Sequence, residues 1–274
     1  MKILVTTSTL KQDVNDSSPE FINNLIEGMS NYNESTEFTY LYPYKGSLPE
    51  NNHKNNIIYE TYKYWFSKKG HDILNLGIYQ SIKLKKINIL KVIFLIISQF
   101  FSTLYFTIKL KPDYIYAHWV FPQGFISSII GKITNTKVVF TSHGSDITLL
   151  RKMRLLGKFI LHFTISNAYK FTVVSEKNIQ KINDFYEIEN YKYKSKIIPM
   201  GINNLYFRDS KIQYSKKDDR KNYLFFGRLT EYKGLDLLVS SFKEFTKENS
   251  NDFLKIIGYG DMEKNLNSLI KEAS

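Results

Sequence analysis

The stretch YLFFGRLTEYKGLDLLVS, Tyr223 to Ser240, decides how this chain is read. Tyr223 to Phe226 is an apolar, aromatic run, long enough for a buried strand and too short for a helix. Gly227 ends it. From Leu235 the apolar residues recur at 235, 238, 239, 242 and 245, which is helical spacing. The unit predicted is strand, glycine, short loop, helix. Arg228 and Lys233 sit in that loop, and Gly234 opens the helix, where a missing side chain lets a ligand approach the backbone. The first turn of a helix carries unpaired N–H groups and the positive end of its dipole. An Arg fork and a Lys point charge beside it form a candidate diphosphate clamp. The same spacing also fits two solvated loop cations after an ordinary strand.

The next unit repeats the arrangement. Phe253 to Ile257 reads as a strand and Gly258-Tyr259-Gly260 as a tight turn. A helix follows from Asp261, with Met262, Leu266, Leu269 and Ile270 on one face. The turn has two of the three glycines of a dinucleotide fingerprint, and Glu263 stands in the third place, so an NAD site is disfavoured. Taken alone, the turn is an ordinary βα connection.

Together, FFGRLTEYKGLDLLVSSF (residues 225–242) and LKIIGYGDMEKNL (residues 254–266) resemble the donor-binding half of retaining GT-B glycosyltransferases of the group 1 and family 4 type. By that resemblance Arg228 and Lys233 hold the diphosphate of a nucleotide-sugar, with Gly227, Gly234, Gly258 and Gly260 shaping the donor site. KPDYIYAHWVFPQG (residues 111–124) and VVFTSHGSD (residues 138–146) are similar to central motifs of the same enzymes. The resemblance puts His118 beside the reacting sugar, and His143 and Asp146 near the donor–acceptor junction, in that order of weight. Asp146 also fits a plain cap for the helix that follows. Independently of any resemblance, two successive strands that each end in a His point to one crevice, because parallel strands bind ligands beyond their C-terminal ends.

Composition narrows the function classes. At 43% hydrophobic and 15% aromatic, 274 residues can bury a real core. With no cysteine there are no disulfides and no thiolate metal site. The start MKILVTTST reads as a first strand, not a secretory signal, and the expected location is cytoplasmic. Between Ile82 and Ile182 stand 15 Lys plus Arg against three Asp plus Glu, so the net charge of +12 resides there. Such a region suits an anionic partner: a nucleotide-sugar, an anionic membrane surface at the inner face, or nucleic acid. No nucleic-acid motif accompanies the charge, and nucleic acid is not expected.

Along the chain, Lys2 to Thr6, a helix from Pro19 to Met29, and Glu37 to Leu41 form an opening βαβ unit. In the first loop, residues 16–21 resemble a subgroup that ends this loop in Pro-Phe. Ile57 to Phe66 reads as a strand with an aromatic tail, exposed on an irregular segment in preference to lining an acceptor pocket. Ile87 to Ile108 is the longest apolar segment. Ser98, Gln99, Ser102 and Thr103 fall on one side, and Val92, Ile93, Ile96, Ile97, Phe100, Phe101, Leu104 and Tyr105 make the packing face. This predicts a soluble helix on the sheet in preference to a membrane span. Lys83, Lys85, Lys86 and Lys91 either solvate a turn or rest on anionic lipid. Further strands are expected at Tyr114–Trp119, Lys137–Thr141, Phe171–Val174 and Lys196–Ile198.

The fold class expected is therefore α/β and GT-B, with two Rossmann-like doubly wound parallel-sheet domains. An N-terminal acceptor-side domain covers residues 1–205, a polar linker 206–222, and a partial nucleotide-sugar domain 223–274. The expected activity is transfer of a sugar, with retention, from a nucleotide-sugar to a surface glycan or lipid-linked acceptor. No other cofactor and no metal are expected, because two cations and a helix dipole can do that electrostatic work. Family members carry further strands and a Glu-rich donor motif that have no counterpart before Ser274, so this chain is expected to be a fragment or truncated homologue with little activity of its own. The alternative is a non-catalytic module that binds nucleotide-sugar or a membrane surface.

Overall fold

A computed structural model of the chain describes residues 1–9, 20–45, 53–54, 56–67, 70–71, 73–74, 85–185, 194–201, 221–247 and 251–273. The chain divides into two compact units, Met1–Arg208 and Asp209–Ser274. In the first, the short apolar runs line up as one sheet. Its strands are β1 (Lys2–Thr6), β2 (Glu37–Pro43), β3 (His53–Lys54), β4 (Ile57–Tyr62), β5 (Tyr114–His118), β6 (Lys137–Ser142), β7 (Lys170–Val173) and β8 (Ser195–Ile197). Their order is β3-β4-β2-β1-β5-β6-β7-β8. Seven strands are parallel, and β3 alone runs antiparallel, on the β4 edge. Leu4 of β1 lies opposite Thr39 on one side and Ile115 on the other.

Helices bury both faces, which is why these strands read as continuous apolar runs without alternation. Ile3 and Val5 pack with Ile22 and Ile26 of α1 (Phe21–Tyr32). Leu4, between them, points the other way, to Leu95 and Phe106 of α2 (Asn88–Leu110). After β5 a wide turn at Val120–Gly124 leads into α3 (Phe125–Thr134), whose Ile126 and Ile130 pack on Ile115 and Val138. α4 (Ser145–Lys152) is the helix expected after Asp146, and α5 (Arg154–Asn167), where no element was expected, opens on Arg154 at φ 52. The last helix of the unit is α6 (Glu176–Phe185).

Two expectations need correcting here. The aromatic tail after β4 is largely core: Tyr62 and Tyr64 are buried beside Leu95 and Phe106, and only Phe66 stands out, 87% exposed. The packing face of α2 is also rotated from the expected one. Gln99, Thr103 and Thr107 lie buried, whereas Ile93, Ile97, Phe101 and Tyr105 are exposed. The helix is apolar around most of its circumference, so periodicity could not fix its rotation. The Thr107 hydroxyl is accommodated by donating to the Thr103 carbonyl at 2.7 Å. Residues 10–19, which hold the first loop up to Pro19, and Lys83 lie outside the described residues.

The second unit comprises β9 (Asn222–Phe226), a 3-10 turn (Glu231–Lys233), α7 (Leu235–Thr246), β10 (Phe253–Ile257) and α8 (Glu263–Ala273). β9 and β10 are parallel, with Tyr223 opposite Leu254. Leu229, Leu235, Val239 and Leu266 form the core, with Phe225 and Ile256 packed against it. β9 is a strand as expected but not a buried one: Leu224 and Phe226 are exposed, the latter 80%. The helices of this unit cover one face of the strand pair. Among the described residues no element of the unit covers the other.

Candidate functional site

In the first sheet the chain builds outward from β1 through β2 on one side and from β5 through β8 on the other, so the order reverses between β1 and β5. Open α/β sheets leave a crevice beyond the C-terminal strand ends at such a point. His118 is the last residue of β5 and is 0% exposed. Its ring stacks on that of His143, in the loop after β6, with centroids 5.4 Å apart and an interplanar angle of 28°. Nδ1 of His118 lies 3.2 Å from Nε2 of His143, so one ring donates and the other accepts. Aromatic rings wall the pair. Tyr116 lies 4.6 Å from His118, and Trp119 and Phe21 lie 4.9 and 5.0 Å from His143. Nε2 of His118 is buried with no hydrogen-bond partner among the described residues. It is an unsatisfied polar atom at the end of the strand.

The backbone beside this pair is strained. Trp119 has φ 72, a left-handed conformation that costs a bulky residue about 1–3 kcal/mol. Its N–H donates to Thr141 at 2.9 Å and its carbonyl accepts from Gly124 at 3.0 Å, which holds it there. The Gln123 amide, with its nitrogen placed toward the His118 carbonyl (3.3 Å) and its oxygen toward the Ser8 N–H (3.1 Å), ties the loop after β1 to the end of β5. Asp146, in the first turn of α4, is buried and accepts four hydrogen bonds. They come from the N–H groups of Val120 (2.8 Å), Gly144 (2.8 Å) and Ile147 (3.0 Å) and from the Ser142 hydroxyl (2.9 Å). Burial raises its carboxyl above the ordinary value, and the four donors oppose that rise. The carboxylate clamps the loop after His118 to the loop after His143, so its contacts are those of a positioning residue.

Burial lowers His118 well below its ordinary value, and the neighbouring His143 adds to the effect; burial lowers His143 to about 4. Both rings are neutral at pH 7 and suited to hydrogen bonding. A pH dependence follows. The unfolded chain protonates its histidines near pH 6.5, as free histidine does. The folded protein resists until about pH 4 at His143. Stability is therefore whole above pH 6.5 and falls as pH drops toward 4, because the unfolded state binds more protons. For His143 the expected loss is on the order of 2 kcal/mol, allowing for its partial exposure. Urea unfolding across this range should show a shallower pH slope in His143→Gln. An unchanged slope would remove His143 as its source.

In the second unit, Arg228 is exposed two residues past the end of β9. Lys233 is exposed at the end of the 3-10 turn, which the sequence reading did not anticipate. Gly234 adopts φ 65, with open space where a Cβ would stand, and its carbonyl accepts from Leu238 at 2.9 Å in the first turn of α7. Glycine is needed there for the left-handed backbone, a reason distinct from the ligand approach expected of it. Gly258 and Gly260 have another role. A Cβ at either would strike the carbonyl of Gly227 or of Leu229 respectively. The two loops are bonded backbone to backbone: Gly227 N–H to Ile257, Leu229 N–H to Tyr259 and Met262 N–H to Leu229, at 2.9–3.0 Å. These glycines thus set the loop that carries Arg228.

Comparison with known proteins joins these observations. Residues 66–175 match the family model for glycosyl transferase 4-like proteins, and residues 207–274 match that for glycosyl transferases group 1. The histidine pair and Asp146 fall in the first match, and Arg228, Lys233 and the four glycines in the second. The lipopolysaccharide outer core galactosyltransferase WaaB superposes with a TM-score of 0.58 at 13% identity, over 100% of this chain and 65% of that one. A trehalose-6-phosphate protein from E. coli, bound with UDP-2-fluoro glucose, superposes at 0.64 and 9% identity, over 100% and 69%. The fold is of the GT-B type. An uncharacterized glycosyltransferase of Methanocaldococcus jannaschii is 29% identical over 159 residues, 58% of this chain and 40% of that protein. A second from the same organism is 27% identical over 183 residues, 60% and 43%. The matches thus span less than half of either relative's length.

In the first unit of this GT-B chain the histidine pair and Asp146 are brought together, and in the second the loop that carries Arg228 is bonded to the Gly258–Gly260 turn. The aromatic walls, the Gln123 tie and the four donors to Asp146 were not read from the sequence.

Proposed function

We propose that this chain is part of a retaining glycosyltransferase that takes a sugar from a nucleoside diphosphate and gives it to a surface-glycan or lipid-linked acceptor. One observation carries the reading: Arg228 and Lys233 stand exposed on a loop after a parallel strand, held by backbone bonds to the Gly258–Gly260 turn, inside the stretch that matches the group 1 model. The neighbour bound with UDP-2-fluoro glucose supports a UDP-type donor.

In this reading the bond from the sugar carbon to the diphosphate oxygen breaks as the acceptor oxygen attacks from the same face. The guanidinium and ammonium groups neutralise the charge growing on the leaving diphosphate, and the sugar carbon gains positive character. The acceptor proton goes to the departing phosphate. Nε2 of His118 hydrogen-bonds a hydroxyl of sugar or acceptor, and His143 fixes its tautomer. The cations supply the electrostatic work, so the proposal includes no metal. Calorimetry against UDP, GDP and NADH tests the donor half: binding of UDP or GDP but not NADH is expected. Failure to bind either nucleoside diphosphate would overturn it. A radiolabelled sugar-transfer assay then separates a transferase from a binding module.

A further inference from the structure

α2 is a helix turned inside out. Every exposed position from Ile89 to Ile108 is Ile, Leu, Phe or Tyr, while Gln99, Thr103 and Thr107 are buried beneath. Leu90, Ile93, Ile97, Phe101, Tyr105 and Ile108 fall three or four residues apart and make one outward stripe, with Phe101 62% exposed. Near its N-terminal end the stripe is widened by Phe66, whose ring packs on Phe94 at 5.6 Å. α2 packs on α3 and α3 on α5, and α5 exposes Leu155, Leu156 and Phe159. An apolar surface of this extent is uncommon on a soluble protein and marks an interaction site.

Charge identifies the occupant. Lys85 and Lys86 precede the stripe, Lys109 and Lys111 follow it, and Arg154 and Lys158 lie on α5; all are exposed. No Asp or Glu occurs from residue 73 to residue 112. A second copy joined through this stripe in antiparallel register would set lysines against lysines with no carboxylate to pair them, which disfavours a dimer. Hydrocarbon suits the stripe, and anionic head groups suit its cationic ends. α2 is long and apolar enough to cross a membrane by length and composition. Leaving the sheet, however, would uncover Leu95 and Phe106 and the strand residues beneath them. A helix lying in the plane of the interface keeps that core closed.

We propose that the outer stripe of α2, flanked by Lys85, Lys86, Lys109 and Lys111, docks this protein on the surface of an anionic lipid bilayer. The proposal goes beyond the donor reading, since vesicle binding needs neither nucleotide nor sugar transfer.

The test is flotation of the full chain with vesicles of phosphatidylcholine alone or mixed with phosphatidylglycerol. The wild type should float with the mixed vesicles and less with the neutral ones, and added salt should release it. Ile97→Glu/Phe101→Glu should lower the bound fraction about tenfold or more on both vesicle types. Lys85→Glu/Lys86→Glu should weaken binding to the mixed vesicles only. All six measurements are made beside urea unfolding, where exposed substitutions should leave the midpoint near that of the wild type. The proposal fails if the wild type stays in the lipid-free fraction, or if the Ile97/Phe101 variant floats as the wild type does. It also fails if light scattering shows a dimer that this variant dissolves while wild-type vesicle binding is absent; the stripe would then belong to a second copy.

Discussion

Asp146→Ala should lower the stability of the first unit by about 4 kcal/mol, the largest single-residue effect expected in this protein. The carboxylate is buried and accepts from three backbone N–H groups and one hydroxyl. Truncation strands those donors where water does not reach. Each costs about 1–3 kcal/mol when left unmade, offset in part by removal of a buried charge. In a unit of this size the melting midpoint should fall by roughly 10 °C. Asp146→Asn keeps one acceptor but turns an NH2 toward donors, so it should recover only part of the loss. Thermal melts of the three proteins measure this. An alanine variant that melts with the wild type would show that the clamp between Val120 and Gly144 contributes nothing. Because Val120 lies two residues past His118 and Gly144 directly follows His143, the clamp sets where both rings stand. Asp146→Ala should therefore also disturb the histidine pair, which ring proton shifts would report without any activity assay.

The strand–loop–helix units around residues 223–242 and 253–270 were legible because a period of two to four residues separates a strand from a helix even in one sequence. His118 and His143 were legible for a related reason: each ends an apolar run, and strand ends share an edge of a parallel sheet. What stayed hidden depends on partners distant in sequence. The buried polar side of α2 is decided by which stripe the sheet can accept, and an almost wholly apolar helix offers several. The exposure of Leu224 and Phe226 depends on which faces of β9 are covered, which four residues of apolar sequence do not encode. Asp146 fitted a plain helix cap as well as a place at the donor–acceptor junction because its nearest donors are local; Val120, 26 residues away, makes it a clamp. By themselves Gly258 and Gly260 read as an ordinary βα turn, and the resemblance gave them to the donor site; the carbonyls of Gly227 and Leu229, which a Cβ at either would strike, add a steric reason for glycine that neither reading contained.

That distinction shapes the second large effect expected. Arg228→Ala/Lys233→Ala should weaken binding of UDP or GDP about 100-fold, on the reading that both side chains meet the diphosphate. Charge-assisted hydrogen bonds contribute about 1.5–3 kcal/mol each, and the exposure of both residues on the loop places the pair near the lower end. Uridine and guanosine lack the diphosphate, so their weaker binding should be the same in wild type and variant. Neither side chain is in the core cluster of Leu229, Leu235, Val239 and Leu266. The variant should therefore unfold as the wild type does, and a loss of affinity could not be blamed on a loosened loop. Gly258→Ala gives the converse. It should push the turn off the Gly227 carbonyl and lower stability while both cations remain. Calorimetric titrations at two salt concentrations complete the argument, because diphosphate contacts weaken as ions screen them. Equal affinity of wild type and the Arg228/Lys233 variant for UDP and GDP, at both concentrations, would remove these cations from the donor site.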